Sequence, residues 1–194
     1  MTRPTLVLAS TSPFRRMLLD KLHLPYQTCK PDVDETPEPE ESPERLVQRL
    51  AELKARAGAR QFPEGLIIGS DQVAVIDDKI LGKPGGQQQA VQQLHQASGR
   101  VVTFLTGLCL YDAGNDKTQT DVVPFRVHFR DLTAQQIEHY VAVEQPYQCA
   151  GSFKSEAFGI TLFKKLEGDD PNALIGLPLI RLTEMLEQAG CPPL

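Results

Sequence analysis

"LIIGSDQVAVI", Leu66–Ile76, is the stretch on which the fold of this chain turns. Apolar runs at Leu66–Ile68 and Val73–Ile76 flank Gly69–Gln72, and the stretch is the strongest buried-strand signal in the chain. The one charge inside it is Asp71, next to Ser70 and two residues after Gly69. A carboxylate in such a segment is costly unless it is paired or holds a cation. Two readings are open: a structural aspartate hydrogen-bonded at a kink beside Gly69, or a functional group.

Working outward, Asp77-Asp78 predicts a tight turn into a short strand at Lys79–Leu81. Upstream, Thr5–Ala9 is a short apolar run that predicts a first buried strand, and Tyr26–Cys29 a second. Between them, Ser12-Pro13 marks a helix start, and Phe14, Met17, Leu18 and Leu22 give that helix its apolar spacing. Arg15 and Arg16 fall in its first turn, at the end that the free N–H groups already make positive. Either the two are paired locally, Arg16 with Asp20 at i+4, or an anion belongs there.

The segment "PDVDETPEPEESP", Pro31–Pro43, holds four prolines and six acidic residues and is a loop. Ser42-Pro43-Glu44 starts the next helix, to about Ala59, with Leu46, Leu50, Leu53 and Ala57 as its main apolar stripe and Val47 and Ala51 widening it. Downstream, the patterns predict a helix at Gln87–Ala97 and an antiparallel pair at Val101–Tyr111 and Thr118–Phe129. They also predict a Thr133-capped helix to Val143, a mixed glycine-bearing stretch at Tyr147–Phe163, and a closing helix at Leu177–Ala189. Helices alternating with strands, followed by a long hairpin, predict an α/β fold with a mixed sheet flanked by helices in a single domain, residues 1–194.

Charge and composition narrow the function. The chain has 20 basic and 25 acidic residues, net −5, and no basic run, which argues against a nucleic-acid polymer as partner. Its four cysteines, Cys29, Cys109, Cys149 and Cys191, are widely spaced and read as buried thiols. No apolar run approaches the ~20 residues of a membrane helix, and the N-terminal stretch does not resemble a signal peptide, so the expectation is a cytoplasmic protein that meets no membrane. The dinucleotide fingerprint, the Walker loop, H-E-x-x-H and G-x-S-x-G are all missing.

A conjunction of residues remains. Ser10 to Ser12 precede a helix N-terminus, whose N–H groups bind phosphate. Arg15, Lys54 and Lys83 suit a triphosphate, while Asp71, with Glu35 and Asp34 from the acidic loop, suits Mg²⁺ or Mn²⁺. For Lys54, lying beside the apolar stripe of its helix, a side chain that merely snorkels past the core is the competing reading; for Lys83, between Gly82 and Pro84, it is a turn lysine. Together the set is suited to phosphoryl or nucleotidyl hydrolysis.

Several stretches occur in a telling order: "LASTSPFRR" (Leu8–Arg16), "DET" (Asp34–Thr36), Lys54-Ala55, "IIGSDQV", "LGKP", "TGL" (Thr106–Leu108) and "CAGSFKSEAFGI". Over nearly the whole chain they resemble the Maf family of nucleoside triphosphate pyrophosphatases. That resemblance implies a metal-dependent enzyme that releases pyrophosphate from a nucleoside triphosphate, on an elongated α/β domain of the Maf/ITPase-like kind, usually dimeric. It implies Asp71 as proton acceptor, Ser10, Arg15, Lys54 and Lys83 along the phosphates, and Glu35 near the metal. Phe14, Gln72 and Glu156 match positions that separate substrate groups, and the last two resemble the subgroup acting on 7-methyl-GTP. Where that subgroup tends to carry tryptophan, this chain has Phe14. Independently, the two adjacent donors on the pairing edge of guanine suit a carboxylate such as Glu156. A cationic N7-methylated base gains from an aromatic face, less from phenylalanine than from tryptophan. Phe14 as core and Glu156 as a surface acid are the competing readings. Two other functions stay open: a pyrophosphatase for dTTP, UTP or modified pyrimidine triphosphates, and a nucleotide-binding regulator of cell division without turnover.

Overall fold

The structure, a computed structural model, describes residues 4–194; Met1 to Arg3, part of the N-terminal stretch read above, lie outside it. Seven strands form one mixed sheet: β1 (Leu6–Ala9), β2 (Tyr26–Cys29), β3 (Leu66–Ile76), β4 (Lys79–Leu81), β5 (Val101–Asp112), β6 (Lys117–Phe129) and β7 (Phe163–Glu167). Their order is β2-β1-β3-β5-β6-β7, with β4 paired to β3. β1 runs parallel to both β2 and β3; β4 against β3 and β7 against β6 are antiparallel. The helices are α1 (Pro13–Asp20), α2 (Pro43–Ala59), α3 (Gln87–Ala97), α4 (Ala134–Glu144), α5 (Pro171–Ile175) and α6 (Leu179–Gln188). The α/β class and mixed sheet expected from sequence are observed. Strand β7 and helix α5 have no clear signal in the sequence. β7 alternates weakly and carries two lysines, and α5 is only five residues long.

Local chemistry explains the boundaries. Ser12 and Ser42 cap α1 and α2 with their hydroxyls, each followed by proline, and Thr133 with Gln136 closes a capping box on α4. Asp77 and Asp78 both take positive φ and join β3 to β4 as a two-residue hairpin loop.

The chain divides into two compact units, each discontinuous in sequence. The first takes residues up to Asp71, Thr106–Val123 and Gly176–Leu194; the second takes Gln72–Leu105 and Pro124–Ile175. In the first, α2 packs on strands whose glycines admit it. A methyl group on Gly69 would lie 2.0 Å from the carbonyl oxygen of Ala51, and one on Gly107 would lie 2.1 Å from that of Val47. The helix therefore turns its small residues Ala51, Ala55 and Gly58 to the sheet. This shifts the stripe expected from sequence: Leu53 is exposed, and Lys54 is buried in its place. In α1 the same kind of shift exposes Met17 and buries Leu18 and Leu19. The second unit is built on aromatic packing, with Phe153 edge-on to Phe104, Phe129 and Phe163 at centroid distances of 5.2, 5.5 and 4.8 Å.

All four cysteines are free thiols; Cys29, Cys109 and Cys191 are buried and Cys149 is half-buried. Burial pushes the Cys109 thiol up to about 12, so it stays protonated. Among the described residues no helix is long and apolar enough to cross a membrane.

Candidate active site

The first unit gathers four of the residues singled out from sequence. Because Gly69 lets α2 lie directly on β3, Lys54 crosses from the helix to the strand. Its Nζ donates to Oδ1 of Asp71 at 2.6 Å and pairs with Oε1 of Glu35 at 2.7 Å. The Lys54 side chain is 7% exposed and that of Asp71 13%, whereas Glu35 reaches in from the acidic loop and is 59% exposed. The snorkelling reading of Lys54 is thereby excluded: its ammonium ends on two carboxylates.

Arg15 is the fourth member. Its Nε donates to the carbonyl of Gly176 at 2.9 Å, which fixes the direction of the guanidinium. Burial pushes the Arg15 pKa below its ordinary value, while the negative charges of Asp71 and Glu35 push it back up. Arginine remains charged through such shifts. The group thus holds two cations and two carboxylates.

The turn before α1 is also organised. The hydroxyl of Ser10 accepts from the backbone N–H of Ser12 at 3.1 Å, and the Ser12 hydroxyl accepts from that of Arg15 at 3.4 Å. Ser10 is buried, Phe14 half-buried. Arg16 is exposed, and the hydrogen bond to Asp20 comes from the Tyr26 hydroxyl at 2.6 Å, so the expected Arg16–Asp20 pair gives way to a tyrosine on β2. Asp34, offered with Glu35 as a carboxylate donor, accepts instead from the N–H of Thr36 at 2.9 Å and so shapes the loop. Arg49 clamps that loop to α2, donating to Glu41 through Nε at 2.6 Å and to the Thr36 carbonyl at 3.1 Å.

The remaining residues lie in the second unit. Gln72 donates through Nε2 to the carbonyls of Ala173 and Leu174 on α5, at 2.8 and 3.1 Å. Lys83 is exposed on a loop held at both ends: Gln93 donates to the Gly82 carbonyl at 3.1 Å, and the Gly85 N–H to that of Tyr147 at 2.9 Å. Glu156 is exposed in the Lys154–Phe158 turn.

The donor set fits a hard divalent cation. The Lys54 ammonium already stands as a cation within 2.7 Å of an oxygen of both Glu35 and Asp71. Among the described residues no three His, Cys, Asp or Glu side chains converge as an all-protein cage. Two carboxylates supplemented by water and substrate phosphates are the usual setting for magnesium.

The family described as "Maf-like protein" matches residues 5–189. The chain belongs to the Maf-like protein family.

Two relatives of this Maf-like protein are named 7-methyl-GTP pyrophosphatase. One, from Nitrosococcus oceani, is 61% identical over 98% of this chain and 96% of its own; the other, from Colwellia psychrerythraea, is 59% identical over 96% and 93%. A solved structure, that of the Staphylococcus aureus Ham1 protein, superposes with a TM-score of 0.54 over 95% of this chain and 99% of that one, at 15% identity, and speaks for the fold. Two further residues of this cluster carry no signal in the sequence. Ser70 Oγ donates at 3.0 Å to the same Gly176 carbonyl that receives Arg15. Gly176 holds that carbonyl with φ +122, a backbone suited to glycine. The partners lie 106 and 161 residues apart in sequence, so no local pattern links them.

Proposed function

We propose that this Maf-like protein hydrolyses a nucleoside triphosphate, 7-methyl-GTP in preference to others, to the nucleoside monophosphate and pyrophosphate. The observation that carries the reading is the buried Lys54 ammonium shared by Asp71 and Glu35, with Arg15 anchored nearby. A site of two cations and two carboxylates is close to neutral by itself, so an incoming triphosphate meets positive groups already desolvated and oriented. Glu35 and Asp71 would hold a Mg²⁺ or Mn²⁺ ion, which when bound acts as a Lewis acid on the phosphate oxygens.

In the proposed reaction Asp71 takes a proton from water. The water oxygen bonds to the α-phosphorus. The bond from that phosphorus to the oxygen bridging the α- and β-phosphates breaks, and pyrophosphate departs with the electron pair. Arg15, Lys54 and Lys83 hold the departing charge, and the Ser10–Ser12 turn supports the phosphates. In this reading Glu156 accepts the two donors on the guanine edge, Phe14 offers a ring face to the methylated base, and Gln72 is a further position that separates substrate groups. The names of the two relatives support the base preference. We further take residues 1–194 as one functional domain, acting as a homodimer in the cytoplasm on a small nucleotide rather than a nucleic acid.

A screen of 7-methyl-GTP, GTP, UTP and dTTP with Mg²⁺ or Mn²⁺, read by pyrophosphate release, tests this. The expected result is the highest kcat/KM for 7-methyl-GTP. Preference for UTP or dTTP would replace it with the pyrimidine reading, and tight binding without pyrophosphate release would replace it with the regulator.

A further inference from the structure

We infer that Glu144 is a positioning residue for base selection, holding both ends of the turn that presents Glu156. The inference rests on the proposed contact of Glu156 with the base. Glu144 ends α4, one helical turn after Tyr140, so the two share a face. One carboxylate oxygen of Glu144, Oε1, receives the Lys154 ammonium at 2.9 Å; the other, Oε2, receives the backbone N–H of Phe158 at 3.2 Å. Lys154 Nζ also donates to the Glu144 carbonyl at 3.1 Å. Tyr140 adds a third tie, its hydroxyl accepting from the Lys154 backbone N–H at 3.1 Å, and its ring stacks on Phe158 at 5.9 Å. Inside the turn the Ala157 N–H reaches back to the Lys154 carbonyl at 3.3 Å, and a methyl group on Gly159 would come within 2.3 Å of that same oxygen. Five residues are thus clamped at positions 154 and 158, and the exposed Glu156 stands midway between them.

The clamp has two consequences. An acceptor that must meet two adjacent donors needs a fixed direction, and a turn tied at both ends supplies one. Glu144 also occupies the Lys154 ammonium. With Glu144 neutral, Lys154 is left without its carboxylate and turns to Glu156, two residues away, cancelling the charge meant for the base.

The test is the selectivity of the full-length protein for 7-methyl-GTP over UTP in wild type, Glu144→Gln, Glu156→Gln and the double variant. Glu156→Gln should lower the ratio, and Glu144→Gln should lower it about tenfold, the worth of one charge-assisted hydrogen bond, through a raised KM for 7-methyl-GTP rather than a lowered kcat. In the double variant Glu144→Gln should add less than about twofold, because it acts through Glu156. Far-UV circular dichroism checks each fold. Should Glu144→Gln fail to fold, Tyr140→Phe, which removes only the acceptor for the Lys154 N–H, should shift the ratio in the same direction. If Glu156→Gln lowers selectivity and neither clamp variant does, or if the two effects add, the positioning role is overturned. If wild type shows no preference, or Glu156→Gln leaves it intact, the base-recognition reading itself fails and this inference with it.

Discussion

Lys54 Nζ lies 2.6 Å from Asp71 Oδ1, a buried ion pair between the middle of α2 and the middle of β3. Glu35 closes the other side of the same ammonium at 2.7 Å. Replacing Lys54 by methionine leaves two carboxylates facing each other without that cation. Removing one partner of a buried pair costs about 3 kcal/mol, so Lys54→Met should show that loss in urea denaturation. Added Mg²⁺ or Mn²⁺ should then raise the melting temperature of the variant more than that of wild type, since the cation takes the vacated place. Equal shifts for both proteins would show that Lys54 does not compete for these oxygens.

Asp71→Asn keeps size and shape while removing the proton acceptor. Lys54 still has Glu35, so the melting temperature should move by only a few degrees. Loss of a general base costs about 10²–10⁴ in rate, and turnover should fall by that much. Near-normal pyrophosphate release would remove Asp71 from the chemistry.

Gly69→Ala probes the contact that brings α2 onto the sheet. The new methyl group would meet the Ala51 carbonyl at 2.0 Å and the Ala55 nitrogen at 2.7 Å, both backbone atoms that cannot turn aside. Overpacking of this kind costs about 1–3 kcal/mol. Because the displaced helix carries Lys54, activity should drop together with stability. A variant as stable and as active as wild type would mean the helix yields without consequence.

The Glu41–Arg49 pair makes a pH prediction. Arg49 hydrogen-bonds Glu41 and holds its carboxyl down to about 2, well below the ordinary value of 4.5. At pH values between these two the unfolded chain binds the extra proton, so stability rises with pH through that window. The contribution is complete above about 4.5 and fades as pH falls toward 2. Thermal melts of wild type and Glu41→Gln should differ most above pH 5 and converge near pH 2–3. A pH-independent difference would assign the effect to packing.

Much of this protein was legible from residue order. The buried strand at Leu66–Ile76, the Ser12, Ser42 and Thr133 caps and the Asp77-Asp78 hairpin depend on local periodicity and side-chain chemistry, and the observed elements follow them closely. The rotation of α2 was not legible. A hydrophobic count favours Leu53 as a core residue, but the two glycines that admit the helix, Gly69 and Gly107, lie on strands far away in sequence.

The sequence by itself determined the α/β class and supplied the chemical inventory: two loop and strand carboxylates, three cations and a seryl turn before a helix. These follow from residue type and spacing, which act over a few neighbours. Only the tertiary structure decided who meets whom. It ended Lys54 on Asp71 and Glu35, gave Arg15 the carbonyl of Gly176, handed Asp20 to Tyr26 and set Asp34 to shaping a loop. Each of these pairings follows from close packing between segments distant in sequence, where a glycine or a single carbonyl fixes which side chain reaches which partner.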